Sequence, residues 1–255
     1  MSTPLLGNTI IKLSAIDSTN DYARKLLLNN ANITDGTVVL ADFQENGKGQ
    51  RTKTWTSERG LNLIMSVILY PVNLKVQDQF LMTKVVSLGV QDYLKSIFDA
   101  NLSDKLRIKW PNDIYVGDNK ICGILIENNV RADKVTSCII GIGLNVNQED
   151  FPGNIPNPTS IKREVKKSFK LERLRHDLCS CIENRYMLLN GVGHHRLNQH
   201  YEDSLYGRNQ IRKYQIKGES IDAKLIGVRN FGELVLENSA GNTIVCNHDD
   251  VRYLS

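Results

Sequence analysis

Two stretches of this chain concentrate polar chemistry among segments that read as buried sheet. The first spans residues 107–127 and sets Lys109, Asn112, Asp113 and Lys120 around two apolar runs, 114–116 and 121–126. Gly117-Asp118-Asn119 lies between those runs, which predicts a β-hairpin. Pro111 has no N–H, fixes its own φ and pushes Trp110 toward an extended conformation, so a kink is expected over 109–113. Burying lysines and a carboxylate is costly unless something pairs with them. A plain surface hairpin with solvated lysines is the competing account. The second stretch, Gln44-Glu-Asn-Gly-Lys-Gly-Gln-Arg-Thr-Lys-Thr-Trp55, tips the balance toward a site.

In that second stretch Gly47 and Gly49 let a backbone approach a ligand, and Lys48, Arg51 and Lys53 supply cations for an anion. It is not a Walker A loop, because Gly49 rather than Ser or Thr follows Lys48. It is not a dinucleotide fingerprint, because Thr52 takes the place of the third glycine. Taken alone it is equally a solvated basic loop, and Gly141-Ile-Gly143 taken alone is a weak signal. No Ser-His-Asp signature, metal-ligand cluster or obvious pair of catalytic carboxylates accompanies these loops. His194 and His195 are adjacent on an expected helix, point to different faces and read as structural. What is left is a site for positioning and charge neutralisation. That suits a reaction in which two anions meet, such as a carboxylate attacking a phosphate.

The elements that must hold these residues follow from periodicity. Strands are expected at 9–16, 37–43, 61–70 and 135–146. A helix starts after the cap residues Asp17-Ser18-Thr19-Asn20, and a long one spans 77–98. Residues 44–57 and the proline-bearing 147–158 read as loops, followed by helices over 160–164, 171–189 and 194–204. From residue 209 the pattern changes to short strands at 210–217, 220–228, 232–236 and 243–246, which suggests a small barrel. Two units are expected, 1–207 and 208–255. The 255 residues, 41% hydrophobic and 24% charged, fit a globular chain. A net charge of +4 is too small to argue for nucleic acid. Five cysteines without a C-x-x-C pair suggest reduced thiols in a cytoplasmic protein. The first eight residues lack a signal-peptide pattern, and no apolar run approaches the ~18 residues of a membrane span.

Five pieces, in order, resemble the biotin protein ligase family: Asp17-Ser-Thr-Asn20, residues 44–55, Lys109-Trp-Pro-Asn-Asp113, Lys120-Ile-Cys-Gly-Ile-Leu-Ile-Glu127 and Gly141-Ile-Gly-Leu-Asn-Val146. The resemblance implies an α+β fold: a mixed sheet flanked by helices, of the class II synthetase-like biotin–lipoate ligase type, with a small C-terminal SH3-like β-barrel. It also implies an enzyme that makes biotinyl-5′-AMP from biotin and ATP with Mg²⁺. Biotin then passes to a lysine of a biotin carboxyl carrier protein of acetyl-CoA carboxylase. Ser18, Thr19, Asn20 and Gln44 would hydrogen-bond the ureido ring, Lys48, Gly49 and Gln50 would also bind biotin, and Lys48 and the following loop would close over the adenylate. Gly123 and Leu125 would line the apolar slot. Lys120 would meet the carboxylate and then the acyl phosphate. Lys109, Asp113, Lys48 and Arg51 complete the expected catalytic set. Arg51, Lys53, Trp55, Asn112 and Asn145 would serve the nucleotide, and Asn112 and Asp113 could instead serve Mg²⁺ or the incoming lysine.

Here Lys48 and Gln50 stand where the family usually has arginines, and Thr52 where it usually has glycine. Because the catalytic region begins by about Thr9, no DNA-binding domain and no repressor role are expected; no membrane partner is expected, and a homodimer is possible. A lipoate–protein ligase shares this logic. A non-catalytic nucleotide-binding module, in which Lys109 and Lys120 would be dispensable, is the other class of reading.

Overall fold

A computed structural model of the chain describes residues 5–29, 32–51, 53–189 and 193–254. Thr52 and the first four residues of the expected leaderless N-terminus lie outside them. The elements run β1 (Ile10–Leu13), α1 (Thr19–Asn29), β2 (Thr37–Ala41), β3 (Leu63–Leu69), α2 (Phe80–Ile97), α3 (Ala100–Ser103), β4 (Leu106–Lys109), β5 (Asp113–Val116), β6 (Asn119–Arg131), β7 (Lys134–Leu144), α4 (Ile161–Val165), α5 (Leu171–Tyr186) and α6 (Gly193–Asp203). Strands β1 to β7 form one mixed sheet in the order β1-β2-β3-β7-β6-β5-β4. Only β1 and β2 pair in parallel within it. Five more strands, β8 (Ile211–Ile216), β9 (Glu219–Val228), β10 (Leu234–Asn238), β11 (Thr243–Cys246) and β12 (Val251–Tyr253), form a separate antiparallel sheet ordered β11-β10-β9-β8-β12. It is consistent with an SH3-like unit. The short β4 and β12 had no clear periodic signal, and β6 starts at Asn119, close to the expected hairpin arm, but runs on to Arg131, well past its end.

Alternation along the strands sorts the residues of the large sheet into two layers. Met65, Val67, Ile140, Ile142, Leu144, Cys122 and Ile124 join the main core with residues of α2 and α5. The opposite face carries positions 64, 66 and 68 of β3, 139, 141 and 143 of β7, and 123, 125 and 127 of β6, aligned by the ladders Ser66↔Gly141 and Leu125↔Gly141. Helix α1 covers one end of this face, packing Ala23 against Val39, Ile68 and Ile139. The other end holds Gly123, Gly141 and Gly143. Side chains are missing there from a sheet otherwise well filled, which leaves room above the backbone.

Candidate active site

The space above those glycines is a pocket lined by the cap residues of α1, the basic loop and the β5–β6 hairpin. Of the expected residues it brings together Ser18, Thr19, Asn20, Gln44, Lys48, Gly49, Gln50, Lys53, Trp55, Asp113, Lys120, Gly123 and Leu125. It adds Thr54, Ile64, Met65, Ile124 and the strand Gly141–Gly143. The polar end is built first. Ser18 precedes α1, and its Oγ accepts from the Asp21 N–H at 3.4 Å, as a cap does. Thr19 N–H donates to Gln44 Oε1 at 2.8 Å, so the helix start and the loop start are locked together. All four residues, Ser18, Thr19, Asn20 and Gln44, are buried. Such small polar groups can match a ligand with a fixed donor–acceptor pattern.

The loop has its own short ladder: Trp55 N–H to Gly47 O at 2.8 Å, Gly49 N–H to Lys53 O at 2.8 Å, and a bridge between Lys48 and Thr54. Gly47 is needed because a Cβ there would lie 2.3 Å from Trp55 O. The ladder lays the Trp55 indole across the sheet, where a Cβ on Gly143 would meet its Cε2 at 2.4 Å. The indole N–H is buried and has no acceptor. Lys48 pairs with Asp21 at 2.6 Å. Burial pushes the Asp21 carboxyl up, but Lys48 and Arg24 outweigh it and hold the group below its ordinary value. Lys120 pairs with Asp113 at 2.6 Å, with its ammonium 5.9 Å from the Trp55 ring. Both partners of that pair are more than a quarter exposed, so a ligand anion can take Lys120 from Asp113 at a cost of only about 1 kcal/mol.

Four expected residues do not line this pocket. Lys109 sits among the rings of Tyr115, Tyr206 and Tyr253, at 5.0, 5.8 and 5.1 Å, and burial pushes its pKa down. Arg51 turns to the C-terminal sheet, contacting His248 Nδ1 at 2.7 Å and ion-pairing with Asp249. Asn112 is buried and donates to Ile124 O, between the pocket and an adjoining cleft that reaches His248 and Asp249. Asn145 donates to Thr159 O at 2.9 Å, leaving its buried Oδ1 without a partner. The expected kink at 109–113 is a chain reversal, with Lys109 opposite Asp113 and a cis Trp110–Pro111 bond. His194 contacts Leu189 O at 2.8 Å, away from the pocket. Sequence reasoning gave Gly141 and Gly143 no place in the site; their spacing of two, which puts both on one face of a strand, was the available signal.

The sheet, the cap cluster and the basic loop together define a ligase-type site, and comparison with known proteins agrees. Residues 13–145 match the model of the biotin/lipoate A/B protein ligase family, and the chain belongs to that family. It is 30% identical over 244 residues to the bifunctional ligase/repressor BirA of Bacillus spizizenii, covering 94% of this chain and 73% of that protein. It is 25% identical over 221 residues to the biotin–[acetyl-CoA-carboxylase] ligase of Mycobacterium tuberculosis, covering 86% and 80%. In fold it is similar to the biotin protein ligase from Aquifex aeolicus in complex with biotin and ATP, with a TM-score of 0.76, 23% identity and coverage of 97% and 100%. Among the described residues no helix is long and apolar enough to cross a membrane.

Proposed function

We propose that this protein is a biotin–protein ligase: it joins biotin to AMP and passes the biotinyl group to a lysine of a biotin carboxyl carrier protein. The observation that carries this is the pocket's division of labour. One end presents buried small polar groups, the middle is a glycine floor with the Trp55 indole against it, and beyond the indole stands Lys120 beside the basic loop. A cyclic urea with an apolar tail and a terminal carboxylate has that same order of parts.

In the first step a biotin carboxylate oxygen bonds to the α-phosphorus of ATP, and the bond to pyrophosphate breaks. Lys120 offsets the charge of the two approaching anions, with Lys53 and Lys48 on the loop above. The Trp55 N–H supplies an unused donor for an oxygen of the same centre. In the second step a lysine amine attacks the acyl carbonyl and AMP leaves. Mg²⁺ bound with ATP would neutralise its phosphates. Asp113 is the carboxylate that lines the pocket, which fits a cation held by one or two carboxylates plus substrate oxygens. Asn112, which lines the adjoining cleft, is left to serve the nucleotide.

The pocket holds only about 100 Å³ of free space, below the roughly 300–1,000 Å³ of sites for drug-sized ligands. Trp55 lies in the way, so the loop carrying it moves as ligand enters and closes afterward to keep water from the mixed anhydride.

Pyrophosphate release from ATP, compared with biotin, with lipoate and with no acid, tests this function. Release that depends on biotin is expected. Release driven by lipoate alone overturns the substrate, and release with neither acid active overturns the enzyme.

A further inference from the structure

Beneath the cap cluster lies a buried side chain with no part in the expected site. Ser66 of β3 is fully buried, and its Oγ stands 2.6 Å from Asn20 Oδ1 and 2.7 Å from Thr19 Oγ1. Thr19 Oγ1 is in turn 3.0 Å from Gln44 Oε1. On the far side, Asn20 Nδ2 donates to Glu127 Oε2 at 3.0 Å and to Leu125 O at 3.4 Å. Gly141, between Ser66 and Leu125 in the ladders, gives the amide its place: a Cβ there would sit 2.4 Å from Asn20 Oδ1.

Ser66 and Thr19 bring two protons to three oxygen–oxygen contacts, and the two shortest, both at Ser66, take them. A carboxylate only accepts, so Glu127 holds the Asn20 amide with its NH₂ outward and Oδ1 toward Ser66. Ser66 has one proton, and Oδ1 can take it but not give one. The Ser66–Thr19 contact therefore needs the proton of Thr19. That leaves Thr19 Oγ1 and Gln44 Oε1 facing each other with no proton between them. Gln44 Oε1 is still held in place by the Thr19 N–H. Two oxygens offering lone pairs side by side, in a buried pocket, call for an N–H from a ligand.

We propose that Ser66 and Glu127 are positioning residues that orient this proton chain, so that Thr19 and Gln44 present acceptors to the ureido N–H groups. Neither touches the ligand. The proposal rests on biotin as substrate. Reversing the chain from either end gives the same fault. Ser66→Ala frees the Thr19 proton for Gln44. Glu127→Gln can turn its own NH₂ toward the Asn20 amide oxygen; Asn20 then gives up Leu125 O and donates to Ser66, and the protons of Ser66 and Thr19 swing round to Thr19 and Gln44. In both cases the acceptor pair is consumed internally.

The test is biotin-dependent pyrophosphate exchange with Ser66→Ala, Glu127→Gln and Arg24→Met, together with the Tm of each. Arg24→Met removes the ion pair of Glu127 without touching the amide contact. The first two variants should raise KM for biotin by about 10-fold or more, the scale of one buried hydrogen bond lost. Their kcat and KM for ATP should change less than about 3-fold, and Arg24→Met should leave all three within about 3-fold. If Ser66→Ala does not fold, Glu127→Gln decides, its side chain being one third exposed. A folded Glu127→Gln with wild-type KM for biotin, or a fall confined to kcat, overturns the proposal while the function stands. A wild-type protein without biotin-dependent exchange overturns both.

Discussion

Lys109 and Lys120 lie on either side of one chain reversal, with Asp113 between them. Asp113 closes on Lys120 at 2.6 Å, and Lys120 faces the pocket with about a quarter of its side chain exposed. Lys109 feels Asp113 through its field alone and is enclosed by three tyrosines, two of them from the chain that forms the C-terminal unit and its approach. The first lysine is a cation ready to change partners. The second is a cation whose attractions are already spent on aromatic faces in a desolvated seam. Identical side chains close together in the chain are therefore held differently, Lys120 free to change partners at the pocket and Lys109 enclosed by aromatic faces.

Replacing each lysine breaks or sharpens that contrast. Lys120→Ala should cut adenylation at least ~100-fold, as loss of a charge contact to the reacting phosphate does, with little change in Tm. Lys109→Ala should cost about 1–2 kcal/mol of stability, the scale of a desolvated cation–aromatic contact, and should lower adenylation less than ~10-fold. Unfolding curves and single-turnover adenylation on both variants check this. Equal activity losses would place both lysines in the chemistry; near-normal pyrophosphate release from Lys120→Ala would remove it from the role.

Much of this was legible in the chain because local chemistry agreed with tertiary need. Asp17-Ser18-Thr19-Asn20 reads as a cap; Ser18 is one, Thr19 and Asn20 open the helix, and these three also line the pocket. The apolar runs of β3 and β7 gave both strands to within two residues. What could not be read was register. Nothing in sequence says that Gly123, Gly141 and Gly143 lie together, or that Ser66 sits beneath Asn20, because strand pairing is decided by contacts far apart in the chain. Direction was also hidden: Arg51, with φ 60°, turns toward His248, whereas Lys53 remains at the pocket. Adjacent cations in a loop look alike until the backbone assigns them sides.

A second boxed lysine tests whether aromatic enclosure, and not position in the motif, is what removes a lysine from chemistry. Lys84 of α2 lies over Phe80 and Tyr201, at 5.4 and 5.5 Å, and donates to Asn198 Oδ1. Burial pushes its pKa down to about 8 from 10.5, with Glu202 opposing. Below about pH 8 the folded and unfolded states are both protonated, and the burial penalty is present in full. Between about pH 8 and 10 the folded state gives up its proton first and the penalty is relieved. The wild type should therefore gain stability relative to Lys84→Met over that window, by up to about 1 kcal/mol per pH unit. Denaturant unfolding at several pH values measures the difference, so that ionising tyrosines and cysteines cancel. A difference independent of pH would mean that Lys84 keeps its ordinary pKa.

The smallest effect concerns the loop residue that departs from the usual arginine. Gln50 lines the pocket and also the adjoining cleft toward the C-terminal sheet. Arg51 beside it cannot make up the missing charge without leaving His248 and Asp249. The cations that line the pocket are Lys48, Lys53 and Lys120. Since three cations already stand there, one more adds little: Gln50→Arg should change kcat/KM for adenylation by less than ~3-fold. The added guanidinium should instead act on the product, slowing escape of the adenylate. Steady-state exchange and the release rate of biotinyl-5′-AMP separate the two. A fall of more than ~10-fold in kcat/KM would mean that the Gln50 amide itself is a contact, and that the wall of this pocket is read by hydrogen bonds where its neighbour Lys53 is read by charge.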